Sequence, residues 1–203
     1  MASQYNVAVL GATGLVGQHL IEILEQRDFP VGKLFPLASS RSAGGTVTFK
    51  GKKIEVLDAE QFDWTQAHIG LFSAGGSVSA LYAPKAAEAG CIVIDNTSQF
   101  RYDADIPLVV PEVNPQAIAD FRNRNIIANP NCSTIQLVMV LAPLNKKYDI
   151  RRVIVSTYQS VTGTGKDAVD QLNAEIKGET PQMVYPYQIF KNALPHCDVF
   201  SDD

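Results

Sequence analysis

The chain begins with a short apolar run that ends in a glycine-rich turn, and this junction constrains the fold more than any other feature. Tyr5-Asn-Val-Ala-Val-Leu10 precedes Gly11-Ala-Thr-Gly-Leu-Val-Gly17, and residues 15–25 then show helical spacing of apolar side chains. A strand buried on both faces of a parallel sheet has this near-continuous apolar character. The pattern predicts a strand, a tight turn and a helix packed back on the sheet through Leu15, Leu20, Ile23 and Leu24.

The alternation of strand and helix continues along the next hundred residues. Apolar runs predict strands at residues 33–38, 69–73, 91–95 and 126–128, and helices at residues 77–89 and 134–146. Alternating segments on either side of Gly51 predict a hairpin. This order predicts an α/β fold, a Rossmann-like doubly wound domain with a mostly parallel sheet.

A second domain is expected to begin near Asn129-Pro-Asn-Cys132, so that residues 1–130 form the first domain and residues 131–203 belong to the next. The β-branched segment at residues 152–159 predicts a strand. With no sign of a finished second domain before Asp203, we expect this strand to have unpaired edges and an exposed apolar face.

Composition excludes several classes of function. The net charge is −4 and the hydrophobic share is 46%, so the sequence indicates no nucleic-acid or membrane partner. No apolar run approaches the roughly 18 residues of a membrane span. The three widely spaced cysteines argue against a disulfide framework or a bound metal, and reduced thiols favour a cytoplasmic location.

The glycine-rich turn is a candidate dinucleotide site. Glycines between a strand and a helix allow close approach of the backbone to a pyrophosphate, and the helix N-terminus supplies free N–H groups. The spacing G-x-x-G-x-x-G is a variant of the usual motif, and a plain tight turn is the alternative. After the second strand, where an NAD site places a carboxylate, stand Ser39-Ser-Arg41-Ser42. Arg41 can bind a 2′-phosphate through its guanidinium fork, which favours NADP over NAD; a solvated turn is the alternative.

Cys132 is the candidate nucleophile. It follows Asn129-Pro-Asn at the expected start of a helix, where the positive end of the helix dipole favours the reactive thiolate. Judged by position alone, a small buried side chain is an equally good interpretation. Cys91 and Cys197 are interpreted as structural. Arg101 lies in a long loop after a strand end and can bind a phosphate or carboxylate, although a surface arginine is the simpler interpretation.

Taken together, six motifs resemble those of the aspartate-β-semialdehyde dehydrogenases. They occur in the family's order and span almost the whole chain. They are Gly11-Ala-Thr-Gly-Leu-Val-Gly17, Ser39-Ser-Arg-Ser-Ala-Gly44, Asp95-Asn-Thr-Ser-Gln-Phe-Arg101, Val110-Pro-Glu-Val-Asn114, Asn129-Pro-Asn-Cys-Ser-Thr134 and Tyr158-Gln-Ser-Val-Thr-Gly163.

The resemblance implies a role for each matching position. It implies that Cys132 forms an acyl thioester, that Arg101 binds phosphate and that Gln159 positions the substrate. It also implies an NADP-binding domain followed by the start of an α+β substrate and dimerisation domain. The implied NADP contacts are Gly11, Thr13, Gly14, Leu15, Val16, Arg41, Ser42, Thr162 and Gly163.

The implied reaction is the NADPH-dependent reductive dephosphorylation of L-aspartyl-4-phosphate to L-aspartate 4-semialdehyde. It serves the synthesis of lysine, threonine, methionine and diaminopimelate, in a cytoplasmic homodimer. The family's general-base histidine lies in a later segment, and His19, His68 and His196 do not match it. We therefore expect the chain as given to be a fragment with little or no turnover.

Two alternatives stay open. N-acetyl-γ-glutamyl-phosphate reductase performs the same chemistry on a longer acyl phosphate, but its motif usually has Gly before the cysteine, where this chain has Asn131. A non-catalytic NADP-binding protein belongs to a different class. Intact Cys132, Arg101 and Gln159 argue against it, whereas the missing base argues for it.

Overall fold

The computed structural model describes residues 4–196, which divide between Arg151 and Arg152 into two compact units. The strands of the first unit are β1 (Tyr5–Leu10), β2 (Val31–Ala38), β3 (Thr46–Phe49), β4 (Lys52–Glu55), β5 (Leu57–Asp58), β6 (Ile69–Phe72), β7 (Ile92–Asp95) and β8 (Ile126–Ala128). Its helices are α1 (Leu15–Gln26), α2 (Gly76–Glu88) and α3 (Cys132–Tyr148), with 310 turns at Trp64–Gln66 and Pro115–Asn123.

Six strands form one parallel sheet in the order β5-β2-β1-β6-β7-β8. From β1 the chain moves outward to β2, and from β6 it moves outward in the opposite direction through β7 to β8. The expected doubly wound α/β fold is therefore confirmed. The carboxyl ends of β1 and β6 lie side by side at the point where the direction of winding reverses, which is where ligands bind in such folds.

Helix α1 packs on one face of the sheet and helix α2 packs on the other. Ile21 of α1 packs with Val7, Val9 and Leu34 on one face. On the other face, the small residues of α2 pack with a core that includes the strand residue Val93. The sequence placed Ile23 on the buried stripe of α1, and this was wrong because Gly17 and Ile21 face the sheet and leave Ile23 exposed.

The hairpin predicted around Gly51 is confirmed as the antiparallel pair β3–β4. Lys50 and Gly51 both have positive φ, 49° and 72°, as a two-residue turn matched to strand twist requires. Glu25 of α1 accepts a 2.8 Å hydrogen bond from the Lys50 N–H, and Asp28 pairs with the Lys50 ammonium at 3.0 Å. These contacts attach the hairpin to the C-terminal end of α1.

The second unit, described by itself, contains a 310 turn at Val161–Thr164 and helix α4 (Lys166–Lys177). Residues 151–160 form no strand, so the strand predicted at residues 152–159 was wrong. A strand needs a neighbour for its backbone hydrogen bonds, and none of the described residues provides one here. The expected apolar exposure is present, with Ile154 83% exposed.

Two side chains of α4 organise the irregular segment that follows it. Gln171 is buried, and its Oε1 accepts hydrogen bonds from the N–H groups of Val184 and Tyr185 at 2.7 and 2.9 Å. Glu175 Oε2 accepts from the N–H groups of Ile189 and Phe190, each at 2.8 Å. Desolvation raises the pKa of Glu175, but hydrogen bonds from Gln171 and from these N–H groups lower it more, so that pKa lies below its usual value.

The domain boundary expected near residue 130 stays a prediction; in the described structure α3 belongs to the first compact unit. Within residues 4–196, no helix is long and apolar enough to cross a membrane.

Candidate active site at the carboxyl edge of the sheet

The glycine-rich turn lies where the sheet reverses its winding. The N–H groups of Gly11 and Ala12 both donate to Leu37 O of β2, and Ser73 N donates to Leu10 O of β1. Gly11 has φ +89°, and a Cβ atom there would lie 3.0 Å from the Ser73 carbonyl carbon. Only glycine satisfies both the backbone conformation and this close approach. The turn is therefore fixed at the carboxyl ends of β1, β2 and β6.

Helix α1 begins directly after this turn. Gly14 is its N-cap and supplies no side chain to bond the first-turn N–H groups. Gly14 and Val16 are exposed and Leu15 is half-buried, with Thr13 exposed beside them. A Cβ on Gly17 would lie 2.7 Å from the Gly11 carbonyl carbon, so glycine there allows the helix to pack against the turn. Uncapped N–H groups at the positive end of a helix can bind a pyrophosphate.

The loop after β2 brings Arg41 to the same edge of the sheet. Ser39 O accepts hydrogen bonds from the N–H groups of Ser42 and Ala43 at 2.8 and 3.0 Å, which closes the loop into a turn. Arg41 is exposed at this turn, and no ion pair with another described residue occupies its guanidinium. Ser42 is half-buried beside it. A guanidinium at this edge that makes no ion pair with a described residue can bind the 2′-phosphate of a dinucleotide's ribose.

Cys132 is the first residue of α3 and is exposed. Asn131 is the N-cap, and its Oδ1 accepts hydrogen bonds from the N–H groups of Ser133 and Thr134 at 3.0 and 3.3 Å. The preceding turn is attached to β7 through Asn129 N, which donates to Asp95 O at 2.8 Å. The interpretation of Cys132 as a buried side chain was therefore wrong. The thiol is therefore accessible at a helix N-terminus, where an incoming electrophile can reach it.

Arg101 lies against the turn that presents Cys132. Its Nε donates to Asn129 O at 2.9 Å and its Nη2 donates to Asn96 O at 3.2 Å. Asn129 Nδ2 also donates to Asn96 Oδ1, which joins the loops after β7 and β8. No carboxylate among the described residues pairs with Arg101. Its remaining donors and its charge are available to an anion near the thiol.

The start of α2 is a part of this edge that sequence reasoning missed. Gly75, with φ +97°, is its N-cap and supplies no side chain to the first turn. A Cβ on Gly76 would lie 3.7 Å from Gln99 Oε1, so this helix N-terminus lies beside the loop that contains Arg101. The available signal was a Gly-Gly pair between an apolar strand and a helix, the same pattern that identified the first turn.

In the second unit, three predicted residues lie together. A Cβ on Gly163 would lie 3.3 Å from Gln159 Cδ, so the Gln159 side chain crosses over Gly163. Ser160 Oγ accepts hydrogen bonds from Thr162 N at 3.4 Å and Thr162 Oγ1 at 3.0 Å. The segment is thus a compact turn rather than the end of a strand.

The other cysteines and histidines have separate environments. Complete burial raises the pKa of the Cys91 thiol to about 12, in keeping with a structural role. Cys197 lies outside the described residues. His68 Nδ1 accepts a 2.8 Å hydrogen bond from Asn6 N, His19 lies 2.9 Å from Glu22 on the surface of α1, and the His196 ring meets Tyr185 edge-on at 5.3 Å.

Comparison with known proteins identifies the family. The model of the semialdehyde dehydrogenase NAD-binding domain matches residues 6–121, and that of the semialdehyde dehydrogenase dimerisation domain matches residues 141–203. The chain belongs to the semialdehyde dehydrogenase family. The aspartate-semialdehyde dehydrogenase of Shewanella violacea is 62% identical over 208 aligned residues, which cover 100% of this chain. This semialdehyde dehydrogenase chain spans about 62% of the length of that relative.

Solved structures of the same family share the fold. The crystal structure of aspartate semialdehyde dehydrogenase II complexed with ASA from Vibrio cholerae is 55% identical, with a TM-score of 0.94 over 99% of this chain and 61% of that one. Aspartate semialdehyde dehydrogenase with NADP from Candida albicans is 29% identical, with a TM-score of 0.61 over 73% of this chain and 48% of that one. The resemblance that the sequence motifs indicated is confirmed; the roles of individual residues stay predictions.

Proposed function

We propose that this semialdehyde dehydrogenase chain provides the cofactor site and the nucleophile for the NADPH-dependent reductive dephosphorylation of L-aspartyl-4-phosphate to L-aspartate 4-semialdehyde. The main support is the hydrogen bond from Arg101 Nε to Asn129 O. This bond holds the guanidinium, which pairs with no carboxylate among residues 4–196, against the turn that presents the exposed Cys132 thiol. An acyl phosphate offers these two groups its phosphate and its carbonyl carbon.

In the proposed reaction, the Cys132 thiolate attacks the acyl carbon, and the C–O bond to phosphate breaks to release inorganic phosphate. Arg101 binds the phosphate and neutralises its charge as it leaves. NADPH, when bound, supplies hydride to the resulting thioester. The thiohemiacetal then loses the Cys132 sulfur, which returns as thiolate and releases the aldehyde. The covalent intermediate divides one difficult transfer into two easier ones.

The cofactor site fits the sequence and the geometry described above. We propose that residues Thr13 to Val16, which span the end of the glycine-rich turn and the start of α1, bind the pyrophosphate and that Arg41 and Ser42 bind the 2′-phosphate. Residues 39–45 contain no carboxylate to hold an unphosphorylated ribose, which favours NADP over NAD. The resemblance to the family supports Thr162 and Gly163 as further cofactor contacts and Gln159 as the residue that orients the substrate carbonyl.

The remaining proposals concern the assembly and the location. The match of residues 141–203 to a dimerisation-domain model supports a homodimer. The widely spaced free thiols support a cytoplasmic location.

The thioester step can be tested without full turnover. The chain is incubated with L-aspartyl-4-phosphate, quenched in acid and examined by intact-mass spectrometry. We expect one aspartyl group per chain, released by hydroxylamine, and no adduct on Cys132→Ala. Cys91→Ala is the matched control, because that thiol is buried, and it should form the adduct as wild type does. An adduct that persists in Cys132→Ala contradicts the assignment of the nucleophile.

The same assay separates the two alternatives. N-acetyl-γ-glutamyl phosphate should acylate Cys132 much more slowly than aspartyl phosphate, and the reverse order would favour the reductase. The side-chain cap from Asn131 Oδ1 is a contact that a glycine at that position cannot make. Failure of both acyl phosphates, together with tight NADPH binding, would favour a non-catalytic NADP-binding protein.

A further inference from the structure

The carboxylate of Asp95 is completely buried at the end of β7, behind the candidate site. No lysine, arginine or histidine among the described residues pairs with it. Burying a carboxylate is costly unless several donors bond to it. Because the other residues of β7 are apolar, packing alone does not explain a buried carboxylate at this position.

Hydroxyl and backbone donors from two directions satisfy this carboxylate. Ser79 Oγ, on a buried residue of α2, donates to Asp95 Oδ1 at 2.8 Å. From the loop after β7, Thr97 N donates to Oδ1 at 3.1 Å and Thr97 Oγ1 donates to Oδ2 at 2.8 Å. The carboxylate therefore joins α2 to the loop of residues 96–101. Three hydrogen bonds to one carboxylate thus connect the loop to the helix.

The connection continues on both sides of the candidate site. Thr97 Oγ1 also accepts a 3.2 Å hydrogen bond from Gln99 N, and the loop then leads to Arg101. The backbone oxygen of Asp95 accepts from Asn129 N, which begins the turn that presents Cys132. One residue thus holds the loop of the proposed phosphate-binding arginine through its side chain and the turn of the nucleophile through its main chain.

We infer that Asp95 is a positioning residue, which sets the distance and orientation of Arg101 relative to Cys132 by holding Thr97. Its carboxylate is completely buried, so the role we assign to it acts through Thr97 and not through contact with a ligand. The inference rests on the proposed function, because it concerns the phosphate site of the proposed reaction. Two of the five N–H donors of Arg101 already bond Asn129 and Asn96, so a small shift of the loop redirects the donors that remain away from the phosphate.

The chain offers a matched pair of threonines for the test. Thr65 bonds to Asp63 as Thr97 bonds to Asp95, with both N–H and Oγ1 donating to the carboxylate, at 3.1 and 2.7 Å. Thr65 lies before β6, at the opposite edge of the sheet from the candidate site. Thr97→Val removes the hydroxyl and keeps the shape, Thr97→Ser restores the hydroxyl, and Thr65→Val removes an equivalent hydroxyl elsewhere.

The readout is protection of the thiol by inorganic phosphate. Each variant is treated with iodoacetamide at increasing phosphate concentration, and Cys132 alkylation is followed by peptide mass spectrometry. We expect the half-protecting concentration to rise about tenfold in Thr97→Val and to stay within about twofold of wild type in Thr97→Ser and Thr65→Val. If Thr97→Val does not fold, Ser79→Ala removes another donor from the same carboxylate and should give the same rise.

The outcomes are distinguishable. Protection of wild type and of Thr97→Val at the same phosphate concentration overturns the role of Asp95 and leaves the proposed function standing. An equal rise in Thr65→Val also overturns it, because the effect would then be one of general stability. Absence of protection in wild type, or protection that survives Arg101→Ala unchanged, overturns the proposed phosphate site itself and with it the inference.

Discussion

The contact between α1 and the glycine-rich turn can be tested with the smallest possible side chain, by changing Gly17 to alanine. The new Cβ would lie 2.7 Å from the Gly11 carbonyl carbon and 2.8 Å from Ala12 Cα, and closer still to the Gly11 carbonyl oxygen. Real Cβ atoms essentially never come within 3.0 Å of another heavy atom. All three neighbours are backbone atoms, so no side chain can rotate away and the helix must separate from the turn.

Two opposing free energies determine the effect on stability. Alanine in place of glycine within a helix stabilises it by about 1 kcal/mol. Overpacking against a well-packed core costs about 1–3 kcal/mol, and the upper end applies here because only backbone can move. We therefore expect Gly17→Ala to lower the free energy of unfolding by about 1–2 kcal/mol. The first-turn N–H groups move with the helix, so we also expect the dissociation constant for NADPH to rise at least about tenfold.

Urea unfolding followed by circular dichroism measures the first quantity, and titration of NADPH fluorescence measures the second. Gly76→Ala is the control for stability, since its Cβ would meet only Gln99 Oε1 at 3.7 Å, an ordinary contact. We expect that variant to be as stable as wild type or slightly more so. A Gly17→Ala protein that is as stable as Gly76→Ala and binds NADPH as tightly as wild type would refute the reasoning.

Three further predictions follow from single contacts. Burial raises the pKa of the Cys91 thiol from 9.0 to about 12, so the folded state keeps a proton that the unfolded chain loses as pH rises above 9.0. Between pH 9 and 10, wild type should therefore lose about 1 kcal/mol more of its free energy of unfolding than Cys91→Ala does. Urea unfolding at each pH measures this, and parallel curves for the two proteins would contradict it. Asn131→Ala removes the cap of α3 and should cost about 1 kcal/mol, whereas Asn131→Gly should cost only a few tenths, as measured by thermal unfolding. Gln171→Leu leaves the N–H groups of Val184 and Tyr185 without an acceptor, and it should lower the free energy of unfolding by about 2 kcal/mol or more, as measured in urea. Asn173→Ala, at an exposed position on the same helix, should leave the free energy of unfolding unchanged. Equal effects of the two substitutions would argue against the role of Gln171.

Local sequence patterns predicted the first unit well because its determinants are local. Residues 5–17 combine an apolar strand, glycines and helical spacing, and the structure has β1, the turn and α1 at those positions. Lys50 and Gly51 likewise predict a two-residue turn from their immediate surroundings. In each case the conformation that the residues favour alone is the one that the sheet requires, so local and tertiary preferences agree.

Prediction failed where the outcome depends on distant partners. Residues 152–159 have the β-branched composition of a strand, but composition cannot supply the neighbour that a strand needs, and the segment is irregular. The role of Asp95 was not visible either, since its donors Ser79 and Thr97 become its neighbours only when α2 packs against β7. Ile23 was misplaced because helical spacing gives the width of an apolar stripe more reliably than its centre.

The order of the strands also has a consequence for synthesis on the ribosome. The turn at Gly11 contacts only β1, β2 and the residue after β6, all of which have been synthesised once the chain reaches Ser73. The thiol and its supporting turn wait for β8 and the start of α3, more than fifty residues later in the chain. A growing chain therefore contains every strand that flanks the glycine-rich turn well before it contains Cys132, so synthesis proceeds from the proposed nucleotide site to the nucleophile.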